Sequence, residues 1–338
     1  MNRKAIIFGV DGLMMPPVKK ALPEPRQQGY HVTLSLNVSA HGYVTLTWGC
    51  GAPGWRNHCL SVWRQTRYPQ RFYNAGVTGA RWDRKMTEHR YTRYGSLQNK
   101  VVVITGGASG IGADLVAAFR QQESRVHFLD IDMTAGSALA QARGACFHPV
   151  DVRNIAALRE AINDIAAQEG RIDVLINNAA RDDRTNTFTV EPEAWRESLA
   201  VNLDHQFFAS QAVAALMQKG EGGNIILTSS TSFMKGRPGM SGYTTSKAAI
   251  VGLSQTLARE LGPSGIRVNC IVPGAISTPR QQALWRTPES EKEIQAMQSL
   301  DITLEGRDVA AMALFVASDD ARGCTGGLFF IDAGIRLV

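Results

Sequence analysis

Tyr243 and Lys247 stand four residues apart in a stretch with helical patterning. That spacing puts a phenol and an ammonium on one face of a helix. An ammonium beside a phenol favours phenolate and draws the tyrosine from its ordinary pKa of ~10 toward working pH. A phenolate held this way is a general base for a substrate hydroxyl. Ser230, 13 residues before Tyr243, offers a hydroxyl that can hold the substrate oxygen in both the ground and transition states. Taken singly, each feature has a plainer alternative. A Tyr-x-x-x-Lys pair occurs by chance in many helices, and Ser229 and Ser232 compete with Ser230 as strand-end hydroxyls.

A second group of residues fits a dinucleotide. Thr105-Gly-Gly-Ala-Ser-Gly-Ile-Gly112 lies between the apolar run Val101–Ile104 and the amphipathic run Ile111–Phe119. Gly106, Gly110 and Gly112 allow a tight turn and close backbone approach to a pyrophosphate, with Ser109 and Ile111 at the helix start beside it. Asp130 lies 24 residues beyond Gly106, at the end of the next strand pattern. A carboxylate there accepts both adenosine ribose hydroxyls and repels a 2′-phosphate, which implies NAD rather than NADP. Asp132 is a nearby competitor, and a solvated strand-end acid is the alternative to a ligand.

These residues need a frame. Apolar strands are expected at Val101–Ile104, Val126–Leu129, Ala145–Val150, Val174–Ile176, Asn224–Thr228, Ile266–Ile271 and Leu328–Ile331. Helical patterns separate them, as in Ile155, Leu158, Ile162 and Ile165. Continuous apolar strands alternating with helices predict an α/β fold, a single doubly wound Rossmann domain with a seven-stranded parallel sheet.

The stretch from about Leu97 to Val338 resembles the short-chain dehydrogenase/reductases along its whole length. The motifs are Thr105–Gly112, Asp151 in Val-Asp-Val, Asn177-Asn-Ala-Ala180, Ser230, Tyr243-x-x-x-Lys247 and Pro273-Gly274, in the family's order and spacing. Ala180 stands where the family usually has Gly. The resemblance implies that Ser230, Tyr243, Lys247 and Asn202 form the catalytic set. Lys247 would also hold the nicotinamide ribose, and Asn202 would position a water linking the lysine to solvent. It further places Asp151 and Val152 at the adenine, Asn178 and Ala179 near the adenosine ribose, and Pro273, Gly274 and Ile276 along the cofactor. Asn202 could instead cap or pin a helix bend. No metal is expected.

Two segments bear on substrate. Arg181-Asp-Asp-Arg184 follows the Asn-Asn-Ala-Ala block, and Thr278–Pro288 falls where the family resemblance implies a mobile substrate lid. Both are similar to the bacterial sugar 1-dehydrogenases of the family, such as D-xylose and D-galactose dehydrogenases. Asp182, Arg280 and Gln281 could bind hydroxyls, and Trp285 offers an apolar face to a pyranose ring. Alternatively, Asp182 pairs with Arg184 and Trp285 packs the lid shut. The expected reaction is oxidation of an aldose to a lactone with NAD. A 3-oxoacyl carrier-protein reductase is the runner-up, although such a role usually draws on NADPH and wants a basic residue where Asp130 stands. A non-catalytic NAD-binding regulatory protein would be expected to have lost part of the catalytic set.

Of the 338 residues, 1–96 carry 14 Lys and Arg against 4 Asp and Glu (+10), and 97–338 carry 22 against 26 (−4). The basic excess, and four of six tryptophans, therefore belong to an irregular N-terminal extension rather than to the Rossmann domain. Alternation at Val32–Val38 and Val44–Trp48, broken at Ser39–Gly42, allows a short hairpin there. No regular element is expected from Gly49 to Arg93. Dispersed basic residues argue against a nucleic-acid arm, and early prolines against a transit helix. Met86 is a natural start, so the extension is expected to be non-native upstream sequence. Five scattered cysteines with no CxxC pair suit a reducing cytoplasm and argue against a disulfide framework. No apolar run of ~20 residues suggests a membrane span. Small apolar faces at Ala212–Leu216 and Ala248–Gly252, with the family resemblance, lead to an expected homotetramer.

Overall fold

The computed structural model describes residues 91–335 and, before them, the strands β1 (Val32–Val38), β2 (Val44–Cys50) and β3 (His58–Val62). The chain divides into two units, Met1–Arg81 and Trp82–Val338. In the first, β1 and β2 pair antiparallel with Val32 opposite Cys50 and Val38 opposite Val44, as the alternation predicts. The connecting Ser39–Gly42 lies outside the described residues, as does Met86. β3 adds an antiparallel third strand to β2 in a stretch where no element was expected. His58–Val62 is only five residues long, too short for alternation to stand out among flanking Pro, Gly and Arg.

In the second unit, β4 (Val101–Thr105), β5 (Arg125–Asp130), β6 (Cys146–Pro149), β7 (Val174–Asn177), β8 (Gly223–Thr228), β9 (Ile266–Pro273) and β10 (Leu328–Ile331) form one parallel sheet. Its order is β10-β9-β8-β7-β4-β5-β6. The chain runs outward from β4 to β6, then returns to build the other half from β7. The switch point therefore falls between β4 and β7, where a crevice opens at the carboxyl ends of the strands.

Alternating side chains feed two cores. Val102 and Ile104 of β4 pack on one face with α1 (Gly110–Gln121) and α10 (Gly306–Ala317). Val101 and Val103 pack on the other with α3 (Ile155–Glu169), α5 (His205–Met217) and α7 (Ser241–Leu261). Both faces are thus covered, and the strands read as continuous apolar runs for that reason. The remaining helices are α2 (Met133–Arg143), α4 (Pro192–Leu199), α6 (Ser232–Lys235), α8 (Pro279–Leu284) and α9 (Pro288–Met297). Among the described residues, no helix is long and apolar enough to cross a membrane.

Candidate active site

A cleft of about 910 Å³ opens at the switch point. It brings together Gly106, Ser109, Gly110, Ile111, Gly112, Asp130, Asp151, Val152, Asn178, Ala179, Pro273, Gly274 and Ile276 with Ser230, Tyr243 and Lys247. Asp182, Arg280, Gln281 and Trp285 line it too. Asn202 is the one nominated residue outside its lining.

Close contacts set the glycine loop. Gly106 and Gly110 have φ of 68° and 53°, which favour glycine. A Cβ on Gly106 would sit 2.6 Å from the Ala179 backbone, and one on Gly112 only 1.8 Å from the Gly106 carbonyl oxygen. Asn178 fastens the loop by donating from Nδ2 to the Gly106 and Thr105 carbonyls, at 2.9 and 3.2 Å. The Thr105 hydroxyl accepts the backbone N–H groups of Asn178 and Ala179. Thr105 was not singled out from the sequence. Ser109 makes no side-chain capping bond, so the first N–H groups of α1 remain for an anion.

Asp130 accepts from the Ala108 and Asp132 N–H groups at 2.9 and 3.0 Å, one per carboxylate oxygen. A carboxylate has about four acceptor sites, so capacity for ribose hydroxyls remains. Asp132 is committed elsewhere, as the N-cap of α2. Asp151 is paired with Arg153, which holds its carboxyl below the usual range. Arg153, which the sequence reading passed over, continues through Glu197 to Arg181. The glycine cradle, the free helix terminus and a ribose-facing carboxylate together fit a nicotinamide dinucleotide.

At the other end, Ser230 follows β8 and Tyr243 and Lys247 lie on α7. The Ser230 hydroxyl contacts that of Ser232 at 2.9 Å and is hydrogen-bonded to Tyr243. Ser229 is excluded as its rival because its hydroxyl donates to the Lys247 carbonyl at 2.6 Å. The buried Lys247 ammonium donates to the Thr228 carbonyl at 2.9 Å and lies 5.4 Å from the centre of the Tyr243 ring. Burial lowers its pKa to about 8. His205, buried below, is pushed down to about 3 by burial and by Lys247, so it stays neutral.

One expectation is reversed. Burial raises Tyr243 to about 12, against a downward pull from the Ser230 bond and with a further upward push from Asp182. The desolvation cost of a phenolate is the largest cause, and the Lys247 ammonium is itself disfavoured by burial in the same interior. Tyr243 is half-buried along the cleft wall, so a cation placed in the cleft would reach it directly.

Asn202 sits in a π-helical turn, Ala200–Asp204. Its side chain accepts from the Arg181 N–H at 2.9 Å and donates to the Arg181 and Ser198 carbonyls at 3.0 and 2.9 Å. It thereby pins the helix bend to the loop after β7. Asp182 does not pair with Arg184. It accepts from Gln281 at 2.8 Å and meets Arg280 at 3.5 Å, tying that loop to α8. Arg184 instead lies over Trp285, 4.4 Å from the ring centre.

Comparison with known proteins agrees with this geometry. A family model described as enoyl-(acyl carrier protein) reductase matches residues 106–336. A D-xylose 1-dehydrogenase of Caulobacter vibrioides is 47% identical over 72% of this chain and 98% of its own length. A probable galactose dehydrogenase of Rhizobium meliloti is 44% identical over the same shares. A short-chain type dehydrogenase/reductase from Mycobacterium ulcerans superposes with a TM-score of 0.68 at 27% identity, covering 71% of this chain and 90% of that one. The chain belongs to the short-chain dehydrogenase/reductase family. A 7α-hydroxysteroid dehydrogenase solved with NADH also superposes at 0.68, with 28% identity over 72% of this chain and 97% of that one. As a member of this family, the protein is an oxidoreductase.

Within this short-chain dehydrogenase, Asp130 is expected to dominate cofactor choice. Asp130→Ala removes the expected ribose acceptor and two backbone bonds, one to Ala108 in the glycine loop and one to Asp132 after β5, each charge-assisted and worth about 1.5–3 kcal/mol. NAD affinity should fall by about 10- to 100-fold, and discrimination against NADP should narrow. Dinucleotide titration by fluorescence reads both; unchanged affinity for NAD would remove Asp130 from the site.

Proposed function

We propose that the protein oxidises an aldose at its anomeric carbon with NAD, giving a lactone and NADH. The observation that carries this reading is the convergence of Asp182, Arg280, Gln281 and Trp285 on one cleft with Ser230 and Tyr243. Bound NAD supplies a hydride acceptor and a positive charge. Tyr243 takes the proton of the anomeric hydroxyl while Ser230 holds that oxygen. Lys247, anchored on Thr228, holds a ribose hydroxyl of the cofactor and keeps a positive charge near the phenol. Asn202 holds the Arg181 loop, and so Asp182, in register with α8. Trp285, with Arg184 over one face, offers its other face to the sugar ring, and α8 shields the reacting carbon from water. Residues 97–338 carry the whole reaction.

A panel of aldoses with NAD and with NADP, read by NADH absorbance, tests the proposal. An arm with NADPH and an acetoacetyl thioester tests the competing reductase reading. Turnover in that arm alone would replace the proposal.

The pH dependence follows from Tyr243. A base whose pKa lies well above ambient pH is scarce, and its population grows about tenfold per pH unit. With Tyr243 pushed to about 12, aldose oxidation at low substrate should climb steeply from about pH 6 to 8. Above about 8 the rise should flatten as Lys247 loses its proton. Initial rates across a constant-ionic-strength buffer series measure this; a flat profile would contradict it.

We also propose a homotetramer in a reducing cytoplasm. Ala248, Ala249 and Gly252 lie exposed on α7, and a Cβ on Gly252 would meet nothing within 4 Å. Light scattering distinguishes four chains from one.

A further inference from the structure

The wall of the cleft beyond Ser230 carries more positive charge than a neutral sugar requires. Lys235 ends α6, Arg237 follows it, and both line the cleft with Ser230 and Tyr243. The Thr185 N–H donates to the Gly239 carbonyl at 2.8 Å, which fastens this loop to the one bearing Arg184. Arg184 lines the same cleft. The acids of that loop are already engaged, Asp182 by Gln281 and Arg280 and Asp183 by Arg181. Among the described residues, neither Lys235 nor Arg237 makes a side-chain hydrogen bond or ion pair. Arg237 and Asp332 are the charged groups that act on Lys235, and Glu293 lines the cleft from α9. Lys235 is half-buried, and both burial and Arg237 disfavour its ammonium. A half-buried cation beside a second cation is costly until an anion completes the set.

We propose that Lys235 and Arg237 receive an anionic group carried by the sugar itself, so that the favoured substrates are aldoses with a carboxylate or phosphate remote from C1. This rests on the aldose reading above and narrows it. The reaction is unchanged in kind: the C1–H bond breaks with hydride passing to NAD, the hydroxyl proton passes to Tyr243, and C1 becomes the lactone carbonyl. The anionic group is not altered. It fixes the end of the ring opposite the reacting carbon, so that C1 faces Tyr243.

The test compares matched substrates: galactose with galacturonate, and glucose with glucuronate and glucose 6-phosphate. Wild type and the Lys235→Met/Arg237→Gln variant are assayed with NAD at low and high salt. The wild type is expected to prefer at least one anionic sugar over its neutral partner by about tenfold or more in kcat/KM. That ratio should fall about tenfold in the variant and should shrink with salt. Preference for the carboxylate or for the phosphate identifies which anion is used. Equal or better turnover of the neutral partners would overturn the anion site while leaving the aldose reading intact. If no aldose turns over, the aldose reading fails, and the wall is tested alone. Gluconate or inorganic phosphate should then raise the unfolding temperature of the NAD-bound wild type more than that of the variant; equal shifts would overturn it.

Discussion

Tyr243→Phe is expected to lower kcat by about 10²- to 10⁴-fold, roughly 3–5 kcal/mol of barrier. The substitution removes one oxygen and keeps the ring that lines the cleft. Ser230 retains its contact with Ser232 at 2.9 Å, so no buried hydroxyl is orphaned. The loss is therefore chemical, with unfolding temperature and NAD affinity nearly preserved. Steady-state rates beside a fluorescence titration separate the two effects. A variant keeping more than about a tenth of wild-type kcat would show that another group takes the proton.

Gly112→Ala should act before chemistry. Its Cβ would lie 1.8 Å from the Gly106 carbonyl oxygen and 2.9 Å from Nδ2 of Asn178. Ordinary contact between a carbon and its neighbours is about 3.5–4.0 Å, so the loop must open by more than an ångström. Neither neighbour yields easily, because Asn178 is itself bonded to Gly106 and Thr105. NAD affinity is expected to fall by more than about 100-fold, and overpacking to cost about 1–3 kcal/mol of stability. Calorimetric NAD binding and thermal unfolding measure these. Affinity within about threefold of wild type would mean that the pyrophosphate does not lie on this loop.

The parallel sheet was legible because its strands are covered on both faces and read as unbroken apolar runs. Boundaries moved by a residue or two; β9, for example, continues past Ile271 to Pro273. The dinucleotide end of the cleft was legible for a different reason. Its requirements, absent side chains at Gly106 and Gly112 and one carboxylate at Asp130, are local to the chain. Pairings between distant segments were not legible. Arg153 reaches Glu197 and then Arg181 across three elements, and Asp182 finds Gln281 rather than its near neighbour Arg184. Asn202 was legible only as an alternative: pinning a helix bend stood beside the water-positioning role, and the π-helical turn that makes the bend leaves no periodic mark. The Tyr243 pKa failed because spacing reveals a neighbouring charge but not how much water burial removes. The helices α8 and α9 were available but unread. Thr278-Pro279 and Thr287-Pro288 each place a capping threonine before a first-turn proline, and both start helices.

Isotopic labelling tests hydride transfer from the anomeric carbon most directly. The best-turned-over aldose, carrying deuterium at C1, is incubated with NAD, and the isolated reduced cofactor is weighed by mass spectrometry. The deuterium is expected to appear in the reduced nicotinamide, the sugar to leave as its lactone, and single-turnover rates to show a primary isotope effect. Unlabelled NADH formed beside a sugar product that keeps its C1 deuterium would contradict it.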